Sequence, residues 1–407
     1  MLEDYLRNKT DFNYKFIIGS NGSGKTHTLN QIYKDYPSKT LLITEDGELK
    51  IESTKRKVHV DLEKRVYIIP SDERNYGNRN RSDVDIVVDI EGKNLELLNF
   101  CNEKIAHFNR MKSLSRGQYK VKNILNIIYT TFLNPINILL IDEPENFLDD
   151  YFLKVVSDMI LYLSKSKIKV VIATHSSRLC ELCTIGIDDV LLLNLELIDE
   201  NIVYRKNCVT INEMKLKFSQ ISEGIENIRK LKQYDIDGGV DAKLKLHTNN
   251  YIFDMYLNHF LNSEEFYKAL FYNDIYLVEG STEKSIIKKA KHDIKNGVYF
   301  FSTEGKVFIP IFAWLFSRIG KSIIIIIDSD RGGNSLKTQV AITEYLEENY
   351  KENLRVFEPD FENHFCIDVK EFKRKYSVNN NLASKPIVAQ EHFNDQNNRS
   401  NFFEFIN

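Results

Sequence analysis

Residues 138–144, Ile138-Leu139-Leu140-Ile141-Asp142-Glu143-Pro144, constrain this chain more than any other stretch. Four apolar residues closed by two acids read as a parallel strand, buried on both faces, that delivers its carboxylates at its C-terminal edge. Asp142 is then placed to hold Mg²⁺, and Glu143 to polarise a water against a γ-phosphate. A second apolar run, 170–173, leads to His175 and reads as a strand beside the first. Upstream, a short strand at 14–18 runs into Gly19-Ser20-Asn21-Gly22-Ser23-Gly24-Lys25-Thr26 and then a helix. This spacing fits the phosphate loop G-x-x-x-x-G-K-[ST] in its strand–loop–helix context. Its glycines let backbone N–H groups from Asn21 to Gly24 curl around phosphates at a helix N-terminus, where the dipole favours anions. Lys25 would reach the β- and γ-phosphates, and Thr26 the metal. The layout is that of a nucleotide hydrolase.

With 407 residues the chain has room for two or three domains, each with its own core. Its formal net charge is −3, so overall charge gives no argument for nucleic acid and any such contact must be local. Five scattered cysteines suit reduced thiols in a cytoplasmic protein, and Cys180 and Cys183 read as helix packing rather than half of a metal site. The N-terminus lacks a secretion signal, and the longest apolar run, 323–327, is too short to span a membrane. Arg74, Arg79 and Arg81, in an Asn-rich loop after a strand at 66–69, either touch phosphate or form a solvated face.

Between the phosphate loop and the acidic strand lies Leu114-Ser115-Arg116-Gly117-Gln118, and after that strand the run 142–149 reads Asp-Glu-Pro-Glu-Asn-Phe-Leu-Asp. These motifs, in this order, resemble those of an ABC-type ATPase. The first is similar to the LSGGQ signature with Arg116 in the third position, and the second to Walker B plus D-loop, DEPxxxLD. His175 falls where that family has its H-loop histidine. The resemblance implies that Ser115, Gly117 and Gln118 complete an ATP site across a homodimer. A glutamine matching the family's Q-loop is not evident.

From about residue 206 the pattern changes to helical spacing, as at Ile221, Ile225, Ile228 and Leu231, broken by Gly238-Gly239. A further strand signal follows: Ile275-Tyr276-Leu277-Val278 ends in Glu279-Gly280, before a helix that carries Glu283. Ile323–327 then leads to Asp328-Ser329-Asp330, two carboxylates on one side of a buried strand's end. A late acidic cluster holds Glu358, Asp360 and Glu362. Strand-end carboxylates without a Cys/His set suit Mg²⁺ or Mn²⁺.

These residues resemble a Toprim domain, and the phrase ALFYNDIYLVEGSTEK resembles the ATPase–Toprim junction of the OLD (overcoming lysogenisation defect) family of nucleases. Carried over, Glu279, Glu283, Asp328 and Asp330 become catalytic or metal-binding acids. Glu362 fits the late motif best, ahead of Glu358, and Lys306 and Lys284 are candidates to assist cleavage. The resemblance implies a nucleic-acid partner, DNA ahead of RNA, an anti-phage role, and room for a partner protein from a defence operon. The expected organisation is an α/β ATPase domain (1–205), a helical connector and dimerisation region (206–270), a Rossmann-like Toprim domain (271–377) and a loosely structured Asn-rich tail (378–407).

Overall fold

The computed structural model describes residues 2–7, 14–20, 22–36, 40–50, 93–131, 138–166, 168–198, 201–234, 238–289, 297–331, 337–377 and 385–406. Asn21, the expected strand at 66–69 and the arginine-bearing loop 72–83 lie outside these. The chain divides into two units, Met1–Lys206 and Asn207–Asn407, and its fold class is α/β.

The first unit is built on a sheet of β1 (Tyr14–Ile18), β2 (Thr40–Ile43), β3 (Leu49–Lys50), β4 (Ile138–Asp142), β5 (Lys169–Thr174), β6 (Val190–Ile198) and β7 (Asn201–Asn207). Its order is β3-β2-β4-β5-β1-β6-β7, with β2, β4, β5, β1 and β6 parallel and β3 antiparallel at the edge. Every residue of β4 and β5 is buried, as their unbroken apolar runs require. Register places Asp142 beside Ala173 and Ile18 beside Thr174, so the phosphate loop, the acidic pair and His175 emerge at one edge. Leu29, Ile32 and Tyr33 of the helix Lys25–Asp35 pack on Ile17, Leu140, Val171 and Leu191 from one face of the sheet. Cys180 and Cys183 are buried in the helix Ser177–Cys183, and burial pushes the Cys183 thiol up to about 12, which makes both packing residues.

The second unit holds a parallel sheet of β8 (Asp274–Val278), β9 (Val298–Ser302), β10 (Ser322–Asp328) and β11 (Leu354–Phe357), in the order β11-β10-β8-β9. Here the organisation departs from expectation in two places. The helices expected as a connector and dimerisation region, 206–270, fall within this unit from Asn207 on. The helix Ile211–Lys232 opens with a Thr210/Glu213 capping box, stacks Phe218 on Phe308, and brings Gly224 against the Tyr345 ring. The expected loose tail contains the helices Lys385–His392 and Gln396–Ile406. Phe393, Phe402 and Ile406 share a core with Val278, Ile326 and Phe357. The Asn-rich composition reflects exposed positions and hid an apolar stripe on the other face.

Candidate functional site

The first unit's phosphate loop depends on its glycines. Gly22 and Gly24 take φ of 82° and 91°, and Gly24 is the N-cap of the helix Lys25–Asp35. At Gly19 a Cβ would stand 2.3 Å from Ser23 Oγ and 2.7 Å from the Leu193 carbonyl oxygen. Lys25 is buried, and its Nζ donates to the carbonyls of Gly19 (3.0 Å) and Ser20 (3.2 Å) and lies 3.2 Å from Glu143 Oε1.

β4 brings the acids to the same place. Asp142 is 4% exposed, and burial, reinforced by the charge of Glu143 and opposed by a hydrogen bond with Thr26, pushes its pKa up to about 6. Its Oδ1 is buried without a hydrogen-bond partner, as is Ser23 Oγ. A buried carboxylate oxygen lacking a donor beside a threonine hydroxyl fits a hard cation, so Thr26 and Asp142 suit Mg²⁺. Glu143 moves the other way: contact with His175 foremost, then Asn146 and Lys25, outweighs burial and holds it at about 2. His175 Nδ1 lies 3.3 Å from Glu143 Oε1 and 3.4 Å from Glu145 Oε1, and its pKa is raised, chiefly by Glu143. A cleft of about 580 Å³ is lined by Gly22, Gly24, Lys25, Thr26, Glu143 and His175, together with Glu45 and Phe147.

Ser115, Gly117 and Gln118 do not line that cleft. They form the start of the helix Arg116–Thr131, where Ser115 N–H donates to Gln118 Oε1 (2.9 Å) and Gln118 N–H to Ser115 Oγ (3.3 Å), a reciprocal cap. A Cβ on Gly117 would stand 2.3 Å from the Phe147 carbonyl oxygen, so only glycine lets this helix meet the turn after β4. Arg116 points outward, with its guanidinium 3.9 Å from the Phe147 ring centroid and Nη2 3.0 Å from Asp46 Oδ1. Replacing the signature glycine at this position therefore disturbs no packing.

Sequence reasoning missed two neighbours. Glu145 accepts from Thr174 Oγ1 (2.6 Å) and from His175 N–H (2.9 Å). Lys120, 2% exposed, donates to the carbonyls of Glu143 (2.7 Å) and Asn146 (3.4 Å), and burial pulls its pKa down to about 8 against the charges of nearby acids. Its position three residues after Gly117 puts it on the same helix face, but nothing in the spacing marks the carbonyls it bonds.

In the second unit, Glu279 follows β8 and Asp328 ends β10. Asp328 N–H donates to Glu279 Oε1 (2.8 Å), and Phe361 N–H donates to Asp328 Oδ1 (2.8 Å). Burial, reinforced by neighbouring acids, pushes Glu279, Glu283 and Asp328 each up to about 7. These three line a cleft of about 680 Å³, to which His259 also contributes, a residue no spacing signal marked. Asp330, at φ 55°, is ion-paired with Lys306, whose fully buried ammonium also bonds the Asp328 carbonyl and Thr343 Oγ1 (3.1 Å) and lies 3.5 Å from Glu279 Oε1. Lys306 thus contacts the acids directly from beneath, while Lys284 lines the same cleft and bonds Glu265 (2.6 Å). Glu362 accepts from Lys385 Nζ (2.9 Å), and its charge acts on Glu283, whereas Glu358 pairs with Arg331 (3.0 Å).

Among the described residues no group of three or more His, Cys, Asp or Glu side chains stands in a geometry that could hold a metal ion as it is, so the acids of this cleft would have to reorient to share one. The all-oxygen donors along one sheet edge suit a hard divalent cation such as Mg²⁺, which takes a few carboxylates plus substrate phosphate oxygens rather than an all-protein cage. Mutual repulsion among these buried acids is what a dication would relieve.

Residues 12–146 match the ABC transporter family model, and residues 270–330 match the Overcoming lysogenization defect protein-like TOPRIM domain. An uncharacterized ABC transporter ATP-binding protein, YybJ of Bacillus subtilis (strain 168), is 26% identical over 177 residues, 42% of this chain and 78% of that protein. A solved metal-chelate type ABC transporter in an inward-facing conformation is 17% identical, with a TM-score of 0.28, covering 51% of this chain and 79% of its own. No helix among the described residues is long and apolar enough to cross a membrane. Motif order, site geometry and the two family matches agree: the chain is an ABC-type ATPase domain joined to an OLD-like Toprim domain.

Proposed function

We propose that this protein is an ATP-regulated, divalent-metal-dependent endonuclease of OLD type that cleaves nucleic acid, DNA ahead of RNA, in anti-phage defence. The observation that carries the reading is the grouping of Glu279, Glu283 and Asp328 in one cleft with buried Lys306 against them. Glu279, Glu283 and Asp328 would hold Mg²⁺ or Mn²⁺, with Asp330 and Glu362 joining when released from Lys306 and Lys385. Such an ion supplies a Lewis acid for the phosphodiester and lowers the pKa of a bound water. Lys306 sets the Asp328 backbone and offers a fixed positive charge near the reacting phosphate.

In the ATPase half, Lys25 would neutralise the β- and γ-phosphates, Thr26 and Asp142 would hold a magnesium ion, and Glu143 would orient the attacking water with His175 beside it. Ser115, Gly117 and Gln118 line no part of their own cleft, which supports a homodimer in which they serve a second copy's nucleotide. The test is cleavage of plasmid, linear DNA and tRNA by purified protein, with Mg²⁺, Mn²⁺ or chelator and with or without ATP. Metal-dependent cutting of DNA is expected. Failure to cut any of these substrates under every condition overturns the nuclease reading and leaves the ATPase.

A second reading has one observation behind it. It keeps the ATPase as a sensor or scaffold whose Toprim half acts on RNA or only with a partner protein, and the lysine pairs of Asp330 and Glu362 favour the partner form, in which docking frees those acids. Cleavage that appears only with RNA, or only after adding a partner, selects it.

A further inference from the structure

The turn after β4 contains two non-glycine residues in the left-handed region, Glu143 at φ 42° and Phe147 at φ 67°. Each is a strained backbone conformation for a non-glycine residue and persists only when its surroundings hold it there. The side chain of Glu143 is held by Lys25, His175 and Asn146. Its backbone is held differently. Its N–H donates to the Ala173 carbonyl (2.9 Å), and its carbonyl accepts from Asn146 N–H (3.3 Å) and from Lys120, whose ammonium takes the carbonyls of both Glu143 and Asn146.

Lys120 comes from the helix Arg116–Thr131, whose start is the capped Ser115–Gln118 turn and whose Gly117 abuts the Phe147 carbonyl. The same helix thus grips the turn after β4 twice, by backbone contact at Gly117 and by charge at Lys120. From the other side, Gly47 at φ 79° lies so close that a Cβ would stand 2.7 Å from Lys120 Cγ. A buried ammonium clamped between a turn and two carbonyls has little freedom to compensate when its helix moves.

We propose that Lys120 is a positioning residue for ATP hydrolysis, transmitting the placement of the signature helix to the backbone of Glu143. Whatever docks on the Ser115–Gln118 turn and shifts that helix then sets the aim of the Glu143 carboxylate at the attacking water. The inference rests on the reading of Glu143 as the residue that orients that water.

The experiment compares Lys120→Met, Glu143→Gln and the double variant in the full-length protein, measuring kcat and KM for ATP, the affinity for a fluorescent ATP analogue, and Tm. Lys120→Met keeps stem volume and removes the charge. Its kcat is expected to fall about a hundredfold, the scale of a misplacement near 1 Å, with KM and analogue affinity unchanged. The double variant is expected to turn over no more slowly than Glu143→Gln alone, because Lys120 acts only through Glu143.

Wild-type kcat in Lys120→Met, equal loss of kcat and nucleotide affinity, or a double variant slower than Glu143→Gln by the full Lys120→Met factor overturns the proposal. Should Lys120→Met fail to fold, Gly47→Ala decides, since it crowds the Lys120 stem without removing the charge. A lowered kcat at unchanged affinity then supports the proposal, and an unchanged kcat overturns it. Full turnover in Glu143→Gln removes the reading of Glu143 itself, an outcome separate from the others.

Discussion

Glu143 and Asp142 are adjacent in sequence yet are pushed to opposite ends of the carboxylate range, about 2 and about 6. Burial dominates at Asp142, and contact with His175 dominates at Glu143. That split suits one acid that waits for a cation and one that stays charged beside an imidazole. Glu143→Gln preserves shape and removes the charge. It is expected to bind ATP normally and to lose about 10²- to 10⁴-fold in turnover, the usual worth of a positioned base, in a steady-state phosphate-release assay. Lys25→Ala is expected to lose tight ATP binding instead, because the loop loses its buried cation, and titration with a fluorescent analogue reads this directly. Most of this site was legible because its motifs are local: the phosphate loop and the acidic strand end each carry their chemistry within a few residues. Lys120 and Glu145 were not. Their roles come from carbonyls and amides 23 to 30 residues away, and backbone partners leave no side-chain pattern to read.

At the scale of elements, apolar runs gave away the buried strands. Ile323–327 lies in β10 and 170–173 in β5, since parallel strands covered on both faces leave little room for polar residues. Helices whose polar residues outnumber their core contacts hid better. The helix Gln396–Ile406 reads as an Asn-rich tail, yet Phe402 is fully buried among Phe361, Phe365 and Phe393. Phe402→Ala is expected to destabilise the second unit by about 3–5 kcal/mol, the cost of emptying a large aromatic site. A matching drop in the urea midpoint checks it, and wild-type stability would return this helix to the status of a tail. The helices at 211–244 carry a second test. Arg229, 3% exposed, pairs with Asp241, joining the helices Ile211–Lys232 and Gly238–Leu244. Burial alone would raise the Asp241 pKa, but Lys245 and Arg229 outweigh it and hold it below the ordinary carboxylate value. A carboxylate lowered in the folded state contributes stability that is present above its unfolded pKa and lost as pH falls through the folded one. Asp241→Ala should therefore destabilise at neutral pH by about 1–3 kcal/mol, because it leaves the buried guanidinium with Glu226 as its remaining carboxylate partner. The difference from wild type should shrink in acid, as urea titrations at neutral and low pH would show.

The whole molecule places two chemistries on one chain, with the phosphate loop in the unit Met1–Lys206 and the Toprim acids in Asn207–Asn407. Asp328 ends a strand of the second unit, so Asp328→Ala removes a metal-binding oxygen without touching Lys25 or Glu143. Cleavage is expected to disappear while ATP hydrolysis stays at the wild-type rate, with Mn²⁺ restoring part of the activity because it binds oxygen and nitrogen sites more tightly than Mg²⁺ does. A joint fall of Tm, ATPase and cleavage would instead make Asp328 a residue of the fold. ATP regulation carries a stricter consequence. If nucleotide bound to one unit changes the affinity of the other for nucleic acid by some factor, nucleic acid must change nucleotide affinity by the same factor. The variant combining Glu143→Gln with Asp328→Ala consumes neither ligand, so both equilibria can be measured on one protein. Nucleic-acid affinity with and without saturating ATP, and ATP affinity with and without saturating nucleic acid, should shift equally. A shift of about 5- to 150-fold is the range expected of such coupling. Two null shifts would leave two independent activities sharing a chain. Unequal shifts would mean that a third equilibrium, such as assembly of copies, carries part of the coupling, and repeating both titrations at several protein concentrations exposes it, because only an assembly step moves with concentration.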